Sequence, residues 1–310
     1  MDEKLFEVFD IPADAAESLE PMGTKRKFWF DHETFAHCLY KVARPETGED
    51  WAEKIVAELC ELLGLPHARY ELASWRDTRG TVSPTFVPDG ARLIHGNELL
   101  FSFVSDYPAP DTTDKQFYRI SQHTVEAVFN VLDAPSVLPP FDWSLPDGVE
   151  TAWGVFVGYL MLDVWTANQD RHHENWALMA SDRICLAPTY DHASSLGRNE
   201  TDQKRSFKLT TRDPNQSMEA YVQKATSALY ATADAARPLS TLDAFWDAAR
   251  RDPRAGNIWL DRLARIRPAD TLVLFRCIPT DRISQPGIQF AQRMLELNQH
   301  RLLGLRGELS

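Results

Sequence analysis

The first hundred residues combine short apolar runs with polar turns, a pattern typical of β-strands. The runs Phe28–Phe30 and Phe35–Val42 flank the polar turn Asp31–Glu33 and predict a β-hairpin. Two more runs, at 68–73 (ARYELA) and 99–104 (LLFSFV), predict further strands. This part of the chain is therefore expected to be rich in β-structure.

A helix is predicted to begin at Asp50, because the apolar residues after it recur every three or four positions. Gly64 then stands in the usual position after a helix and Pro66 follows, so the helix should end at Leu63. The apolar residues that define the spacing are Trp51, Ile55, Val56, Leu59, Cys60 and Leu63.

The second part of the chain has a different pattern. Residues 112–132 are consistent with a helix, and a proline-rich break follows at Pro135–Pro146. Beyond the break, Trp153–Val164 is apolar on most sides, which predicts a buried helix. Further helices are predicted near residues 217–231, 239–250, 257–266 and 286–304.

These patterns predict an α+β fold of two lobes. Residues 1–105 are expected to form a sheet-rich N-lobe, and residues 106–310 a helical C-lobe. A cleft between two such lobes is the usual place for a ligand.

Composition and charge exclude several classes of protein. Of the 310 residues, 44% are hydrophobic and 25% are charged, which is typical of a chain with a substantial core and excludes disorder as the dominant state. The net charge of −12 argues against general binding to a nucleic-acid backbone, so direct DNA binding is not expected. Residues 250–310 differ, with eleven arginines, no lysine and six acidic residues, a net charge of +5. This segment is either a solvated helical face or a docking surface for an acidic partner.

The sequence also bears on location. The longest apolar run, Trp153–Leu162, is too short to cross a bilayer, and the acidic amino terminus lacks the pattern of a secretory signal. The four cysteines lie far apart, without the spacing of a disulfide framework or a zinc site. We therefore expect a cytoplasmic protein that has no membrane partner.

Two neighbouring segments concentrate polar residues that could perform chemistry. NQDRHHENWAL at 168–178 directly follows the buried helix, and LAPTYDHASSLG at 186–197 comes after a short predicted strand, RICLAP. This loop–strand–loop order can bring Asn175 and Asp191 to one end of a hairpin. Oxygen ligands of this kind suit Mg²⁺, which bridges substrate phosphates.

The spacing of Asp170 and Asn175 agrees with a phosphoryl-transfer site. In protein kinases, the acid that meets the acceptor hydroxyl stands five residues before the magnesium-binding Asn, and a further Asp after a short hairpin holds the metal. Asp170, Asn175 and Asp191 match these residue types and spacings. The three residues together are much more specific than the Asp-x4-Asn spacing alone.

A kinase also needs a strand lysine at the phosphates and a helix glutamate that orients it. Lys41 ends a predicted strand and Glu53 lies in the first turn of the next helix. The simpler alternatives are a lysine in solvent and a capping box, in which Asp50 is the N-cap and Glu53 the third helical residue.

A phosphate-covering loop should precede the first strand pair, and residues 21–27 (PMGTKRK) stand in that place. Backbone N–H groups from Gly23 to Lys27, together with Lys25 or Lys27, could hold phosphates. The segment has one glycine only, so a solvated basic turn is the alternative.

These segments together resemble the HipA-like serine/threonine kinases of bacterial toxin–antitoxin modules. The resemblance rests on MGTKRKFWF, the LYK around Lys41, AEKIVAELCELLGL, NQDRHHENW and APTYDHASSLG, and spans roughly residues 20–200 in the family's order. The chain is similar to the short, HipT-like form without the extra amino-terminal domain. The Asp-Arg-His-x-x-Asn string is also similar to phosphoinositide kinases.

The resemblance implies a two-lobed, protein-kinase-like fold and ATP- and Mg²⁺-dependent phosphorylation of a protein serine or threonine. It implies an aminoacyl-tRNA synthetase as a frequent substrate and a small helix-turn-helix antitoxin as the usual partner. By position, Asp170 would be the catalytic acid/base, and Asn175 and Asp191 the magnesium ligands. Lys41 would contact phosphates with Glu53 as its support. The loop above the nucleotide would be formed by Gly23, Thr24, Lys25 and Lys27.

Two departures from the family patterns limit these implications. His192-Ala193 stands where a eukaryotic-type kinase has Phe-Gly, so control through that phenylalanine is not expected. Family members are often restrained by autophosphorylation of a loop serine. Here the loop offers Thr24, with Ser18 just before it.

Other functions remain open at this point. The same residues could serve a lipid or small-molecule kinase, or an inactive nucleotide-binding scaffold. His172, His173, Asp191 and His192 could form the metal cluster of a phosphohydrolase, although adjacent histidines point in different directions. We expect instead that His172 braces the loop.

Two further side chains of this segment have expected structural roles. Asn168 is expected either to hold Asp170 or to cap the preceding helix. Trp176 is expected to belong to the core rather than to a ligand-stacking surface.

Overall fold

The structure is a computed structural model that describes residues 4–15, 26–110 and 119–309. Its amino-terminal part is built on a five-stranded sheet. The strands are β1 (Val8–Ile11), β2 (Lys27–His32), β3 (Ala36–Val42), β4 (Glu71–Trp75) and β5 (Thr78–Pro84). Their order across the sheet is β1-β4-β5-β3-β2, in which only the β1–β4 pair is parallel.

The predicted hairpin is confirmed as β2 and β3, with Phe28 opposite Tyr40. Phe28 and Phe30 point into the core and Trp29 is exposed, as the two-residue period of a strand requires. The turn lies two residues later than predicted, at 33–35, because Asp31 and His32 still pair with β3.

The predicted helix is confirmed as α1 (Glu49–Leu63), which ends at Gly64 with φ of 69°. Only glycine adopts this left-handed conformation at little cost. The capping-box alternative is wrong, because the N-cap is Gly48 and makes no side-chain cap. The Asp50 carboxylate instead pairs with two arginines, Arg79 and Arg282.

A second sheet carries the segments of interest. Its strands are β6 (Arg92–His95), β7 (Val137–Leu138), β8 (Ala177–Ala180) and β9 (Ile184–Leu186), in the order β6-β8-β9-β7. The short strand predicted within RICLAP is confirmed as β9, which forms an antiparallel hairpin with β8.

The strand predicted at 99–104 is wrong, because these residues belong to helix α2 (Gly96–Phe103). Leu99 and Leu100 are buried while Phe101 and Phe103 are exposed. A short apolar run does not by itself distinguish a strand from a helix. Here Glu98 helps to begin the helix by accepting a hydrogen bond from the backbone N–H of His95.

The rest of the chain is mainly helical, as predicted. The segment predicted at 112–132 is helical only at 125–132 among its described residues, and 217–231 contains a single short helix. Within the described residues of this part, the helices at 202–210 and 268–276 were not predicted. The helices are α3 (Val125–Leu132), α4 (Ala152–Thr166), α5 (Asp202–Thr210), α6 (Met218–Gln223), α7 (Thr241–Arg251), α8 (Pro253–Arg265), α9 (Pro268–Arg276) and α10 (Gln285–Leu303).

Helix α4 lies at the centre of the main core, and every one of its residues is buried. It packs against α7, α8 and α10, while α1 contributes its apolar face to the same core. The α+β architecture predicted from the sequence is confirmed. In the described part of the chain, no helix has the length and apolar character needed to cross a membrane.

Candidate active site

The buried helix α4 delivers the first polar segment into the interior. The helix ends at Ala167, which has φ of 53°, so the cap is this alanine and not Asn168. The Asn168 amide donates to Asp163 Oδ1 (2.8 Å), and its oxygen accepts from the backbone N–H of Asp170 (3.2 Å). Asn168 therefore fixes Asp170 relative to α4, which was one of its two expected roles.

The loop between Asp170 and Asn175 closes on itself. The Asn175 side-chain amide donates to the Asp170 carbonyl oxygen at 2.5 Å, and the Asn175 backbone N–H donates to the His172 carbonyl at 2.8 Å. Because the amide nitrogen is used in this way, Asn175 Oδ1 is the end of the side chain that can act as a ligand.

Arg171 fastens this loop to the protein interior, a role that sequence reasoning missed. Its guanidinium makes a two-bond pair with Asp163 (2.8 and 2.9 Å) and donates to Thr189 Oγ1 and the Asn175 carbonyl (2.9 Å each). Burial disfavours the charged form, but Asp163 outweighs it and raises the pKa of Arg171. Such a buried charge requires several fixed partners.

Asp191 follows β9 in a left-handed backbone conformation, with φ of 57°. Two side chains of the amino-terminal part hold this turn. The Asp191 backbone N–H donates to the Tyr70 hydroxyl oxygen (3.0 Å), and the next N–H, of His192, donates to Glu53 Oε1 (2.5 Å). Tyr70 had no signal in the sequence that marked it as part of a site.

Lys41 reaches the same place from β3. Its Nζ lies 3.4 Å from Asp191 Oδ1, and the side chain is only 14% exposed. Burial opposes the charged form, but Asp191, Tyr70 and Glu53 together raise the pKa of Lys41 well above its usual value. Lys41 is thus a largely buried cation beside a carboxylate, and the solvent-exposed alternative does not describe it.

Glu53 is buried and serves both Lys41 and the Asp191 turn. Its charge contributes to the raised pKa of Lys41, and its oxygen receives the His192 N–H. Of the residues expected to cover phosphates, Lys27 belongs to β2 and lies directly opposite Lys41 in the β2–β3 ladder, which puts both side chains on one face of the sheet. Gly23, Thr24 and Lys25, like Ser18, lie outside the described residues.

The histidines have separate partners. His172 Nδ1 accepts the Glu174 N–H (3.2 Å), so His172 braces the loop as expected, and His173 Nδ1 pairs with the Tyr107 hydroxyl (2.7 Å). His192 Nε2 is 2.8 Å from Thr189 Oγ1. Within residues 4–15, 26–110 and 119–309, no group of three or more His, Cys, Asp or Glu side chains is arranged to hold a metal ion.

The core assignment of Trp176 is confirmed. Its side chain is buried beneath the loop, and the indole N–H donates to His123 Nε2 at 3.2 Å.

The chemistry of the donor set fits a magnesium ion. The Ala187 N–H donates to the Ala177 carbonyl (2.9 Å) at the open end of the β8–β9 hairpin. Asn175 precedes the Ala177–Ala187 pair in the sequence and Asp191 follows it, so both residues lie beyond the same end of the hairpin. An amide oxygen and a carboxylate are the hard oxygen ligands that Mg²⁺ prefers, with water and phosphate oxygens completing its shell.

A cleft of about 400 Å³ opens beside Asp170. Its walls come from the loop after α4, the loop at 194–199, helix α6 and helix α10. Asp170, Ser194 and Arg198 are among the residues that line it. A cleft of this size can admit an extended peptide segment or a small molecule next to the Asp170 carboxylate.

By sequence, the chain matches no family model and no curated protein. Its structure is similar to that of the proinflammatory kinase CtkA of Helicobacter pylori, with a TM-score of 0.69 and 15% identity over 96% of this chain and 99% of that one. It is also similar to HipA of Shewanella oneidensis MR-1 in complex with HipB and operator DNA, with a TM-score of 0.56 and 14% identity. That match covers 92% of this chain and 64% of HipA. The chain therefore has the HipA-like, kinase-like fold that the sequence resemblance implied.

Proposed function

We propose that this chain is a HipA-like kinase that transfers the γ-phosphoryl group of ATP to a serine or threonine hydroxyl of a protein, with Mg²⁺ as cofactor. The observation that carries the proposal is the arrangement of Lys41 and the loop–hairpin–loop segment that holds Asp170, Asn175 and Asp191. Asn175 is hydrogen-bonded to Asp170, Asn175 and Asp191 leave the same end of the β8–β9 hairpin, and Lys41 reaches to 3.4 Å from Asp191 from the other part of the chain. The fold shared with CtkA and HipA supports it.

The residues have distinct roles in the proposed reaction. The Asp170 carboxylate orients the acceptor hydroxyl and takes its proton as the oxygen bonds to the γ-phosphorus, while the bond to the β,γ-bridging oxygen breaks and ADP leaves. Lys41 holds the phosphates from the sheet, aided by Lys27 and the loop at Gly23–Lys25. Asn175 and Asp191 would hold Mg²⁺, which supplies positive charge to the phosphate oxygens.

The acceptor would enter through the cleft beside Asp170. A protein acceptor is favoured over an anionic lipid because the chain carries a net charge of −12, which opposes approach to an acidic membrane. An aminoacyl-tRNA synthetase is the acceptor that the family resemblance suggests. The complex of HipA with HipB supports a small helix-turn-helix antitoxin as partner, with any DNA contact made through that partner.

Phosphoryl transfer from labelled ATP with Mg²⁺ tests the proposal. Asp170→Asn, Asp191→Asn and Lys41→Met should each lower the rate by about 10²–10⁴. The thermal midpoint of Asp170→Asn should stay close to that of the wild type, because the Asp170 side chain is 48% exposed. Asp182→Asn is the matched control, because Asp182 is exposed at the opposite end of the same hairpin. Undiminished transfer by Asp170→Asn would overturn the assignment.

The acceptor class is tested by mass spectrometry of phosphopeptides from cells that express the wild type or the Asp170→Asn variant. A protein kinase should leave phosphoserine or phosphothreonine that is absent with the variant. Transfer of the label to a lipid or metabolite fraction, with no phosphopeptide, would replace the protein acceptor by a small one.

A further inference from the structure

Ser194 makes a contact that the mechanism above does not use. Its hydroxyl donates a hydrogen bond to Asp170 Oδ2 at 3.0 Å. Ser194 is half-buried and stands three residues after Asp191, on the wall of the cleft beside Asp170. It therefore touches the carboxylate to which the proposed function assigns the proton transfer.

The direction of this hydrogen bond is fixed by Arg198. Arg198 Nη2 lies 3.0 Å from Ser194 Oγ. A guanidinium only donates, so it must use a lone pair of the serine oxygen, and the serine proton is left to point at Asp170. The hydroxyl thus has one defined orientation instead of three.

Arg198 is itself held by Glu49 in the first turn of α1. Arg198 Nη1 pairs with Glu49 Oε1, and both side chains are at least nine-tenths buried. The other Glu49 oxygen accepts the Arg44 N–H (3.0 Å), and the Gly48 N–H donates to the Arg198 carbonyl (3.0 Å). The pair is therefore locked to the start of α1 by backbone groups as well as by charge.

We infer that Ser194, oriented by Arg198 and Glu49, is a positioning residue for Asp170. By occupying Oδ2 it fixes the rotation of the carboxylate and leaves Oδ1 for the acceptor hydroxyl. The inference rests on the proposed function, since it assigns a role only if Asp170 takes the acceptor proton. It adds that the carboxylate is aligned from α1, the helix that also holds the His192 N–H through Glu53.

The first test is a split of kinetic constants. Ser194→Ala frees the carboxylate, so kcat should fall by about 10- to 100-fold, since misplacing a reacting group by ~1 Å costs up to about 10². The KM for ATP should change less than about twofold, because the nucleotide side is untouched. Ser194→Thr retains the hydroxyl and should restore kcat to within about threefold of the wild type.

A matched control is available in the same region. The Ser181 hydroxyl donates to Asp182 Oδ1 at 2.9 Å in the exposed turn of the β8–β9 hairpin. Ser181→Ala removes the same kind of bond outside the site and should leave both kinetic constants unchanged.

A double-variant comparison tests the link to Arg198. Arg198→Lys keeps a charge for Glu49 but loses the fork that reaches Ser194. If the two residues act through one bond, the variant with both changes should be no slower than Ser194→Ala alone. Losses that multiply would overturn the link. Arg198→Lys also supplies an independent answer if Ser194→Ala fails to fold.

The outcomes separate this inference from the proposed function. Loss of transfer in Asp170→Asn with full kcat in Ser194→Ala would overturn the inference and leave the kinase standing. Phosphate found on Ser194 of the active protein would also overturn it, because the hydroxyl would then be an acceptor. A wild type without transfer would overturn both.

Discussion

The arginines of the candidate site and those of the carboxy-terminal helices differ in how far they are withdrawn from solvent. The side chains of Arg171 and its partner Asp163 are 1% and 5% exposed, whereas those of Arg267 and Asp270 are 77% and 29% exposed. A buried ion pair is stable only when each of its hydrogen-bond donors has a partner, and the partners of Arg171 fix the loop. A solvent-exposed ion pair is screened by water and contributes little to stability, so the Arg267–Asp270 pair does not hold a particular structure in place.

Several arginines of the carboxy-terminal segment form local pairs at the surface. Arg251 pairs with Asp247 (3.8 Å) and Arg293 with Glu296 (3.6 Å), each within one helical turn. This arrangement agrees with the solvated-face interpretation of the sequence. A docking surface for an acidic partner stays a prediction.

The largest effect should come from Arg171→Met. It leaves Asp163 buried beside an apolar side chain, so the free energy of unfolding should fall by about 3–5 kcal/mol in urea denaturation. Adding Asp163→Asn removes the orphaned charge and should recover part of the loss. A decrease below about 1 kcal/mol in the single variant would contradict the contrast drawn between the two regions.

Arg282 belongs to the arginine-rich segment, but its side chain is only 3% exposed. It pairs with Asp50 (2.9 Å) and donates to Ser74 Oγ (2.7 Å). Arg282→Met should cost about 3 kcal/mol, since Arg79 still partly compensates Asp50. If this variant were as stable as the wild type, position in the chain and not burial would govern these arginines.

The buried histidines of the site region should make stability depend on pH. Burial lowers the pKa of His123 and of His173 to about 3, against about 6.5 in the unfolded chain. Between these two pKa values the unfolded state binds more protons than the folded state. The free energy of unfolding is therefore highest above pH 6.5 and decreases as the pH falls below it. Each histidine should contribute about 1.4 kcal/mol per pH unit below 6.5.

The measurement is the slope of the unfolding free energy between pH 6 and pH 4.5. His123→Gln should reduce that slope by the amount for one histidine. His300→Gln, at an exposed position of α10, is the matched control and should leave it unchanged. Equal slopes in all three proteins would show that the acid sensitivity lies elsewhere.

The smallest effect is expected for Arg267→Ala. Its pair with Asp270 (2.6 Å) lies at the exposed start of α9 and is screened by water, so the free energy of unfolding should hardly change. The small difference should shrink further in 1 M salt. A loss as large as that of Arg171→Met would remove the distinction between buried and exposed pairs.

The elements that the sequence predicted well have a regular spacing of apolar residues or a long apolar run. Helix α1 and the β2–β3 hairpin follow their apolar spacing closely, and α4 coincides with the continuous apolar run. Helix α5 was missed because its sequence, DQKRSFKLT, has almost no apolar face, and Arg205 is its one buried residue. The segment LLFSFV was wrongly predicted as a strand, because Phe101 and Phe103 extend its apolar run but are exposed and do not enter the core.

The residues of the candidate site also differ in how well the sequence predicted them. Asp170, Asn175 and Asp191 could be placed together because one hairpin connects them. The groups that orient them could not be foreseen, since Tyr70 meets the Asp191 N–H across 121 positions of sequence and Arg198 meets Glu49 across 149. Such contacts follow only from the packed structure and leave no local spacing to read.

Tyr70 and Glu53 accept hydrogen bonds from two successive backbone N–H groups of the Asp191 turn. These contacts determine whether the chain can be cut into fragments that keep this turn. A fragment that begins after β5 would contain Asp170, Asn175 and Asp191 but neither of the side chains that impose the left-handed bend at Asp191. The Asp191 carboxylate would lose its direction even if the hairpin formed. The Asp191 side chain should regain its orientation only when the two fragments bind each other. Recovery of activity on mixing two inactive fragments would therefore test whether this turn is re-formed.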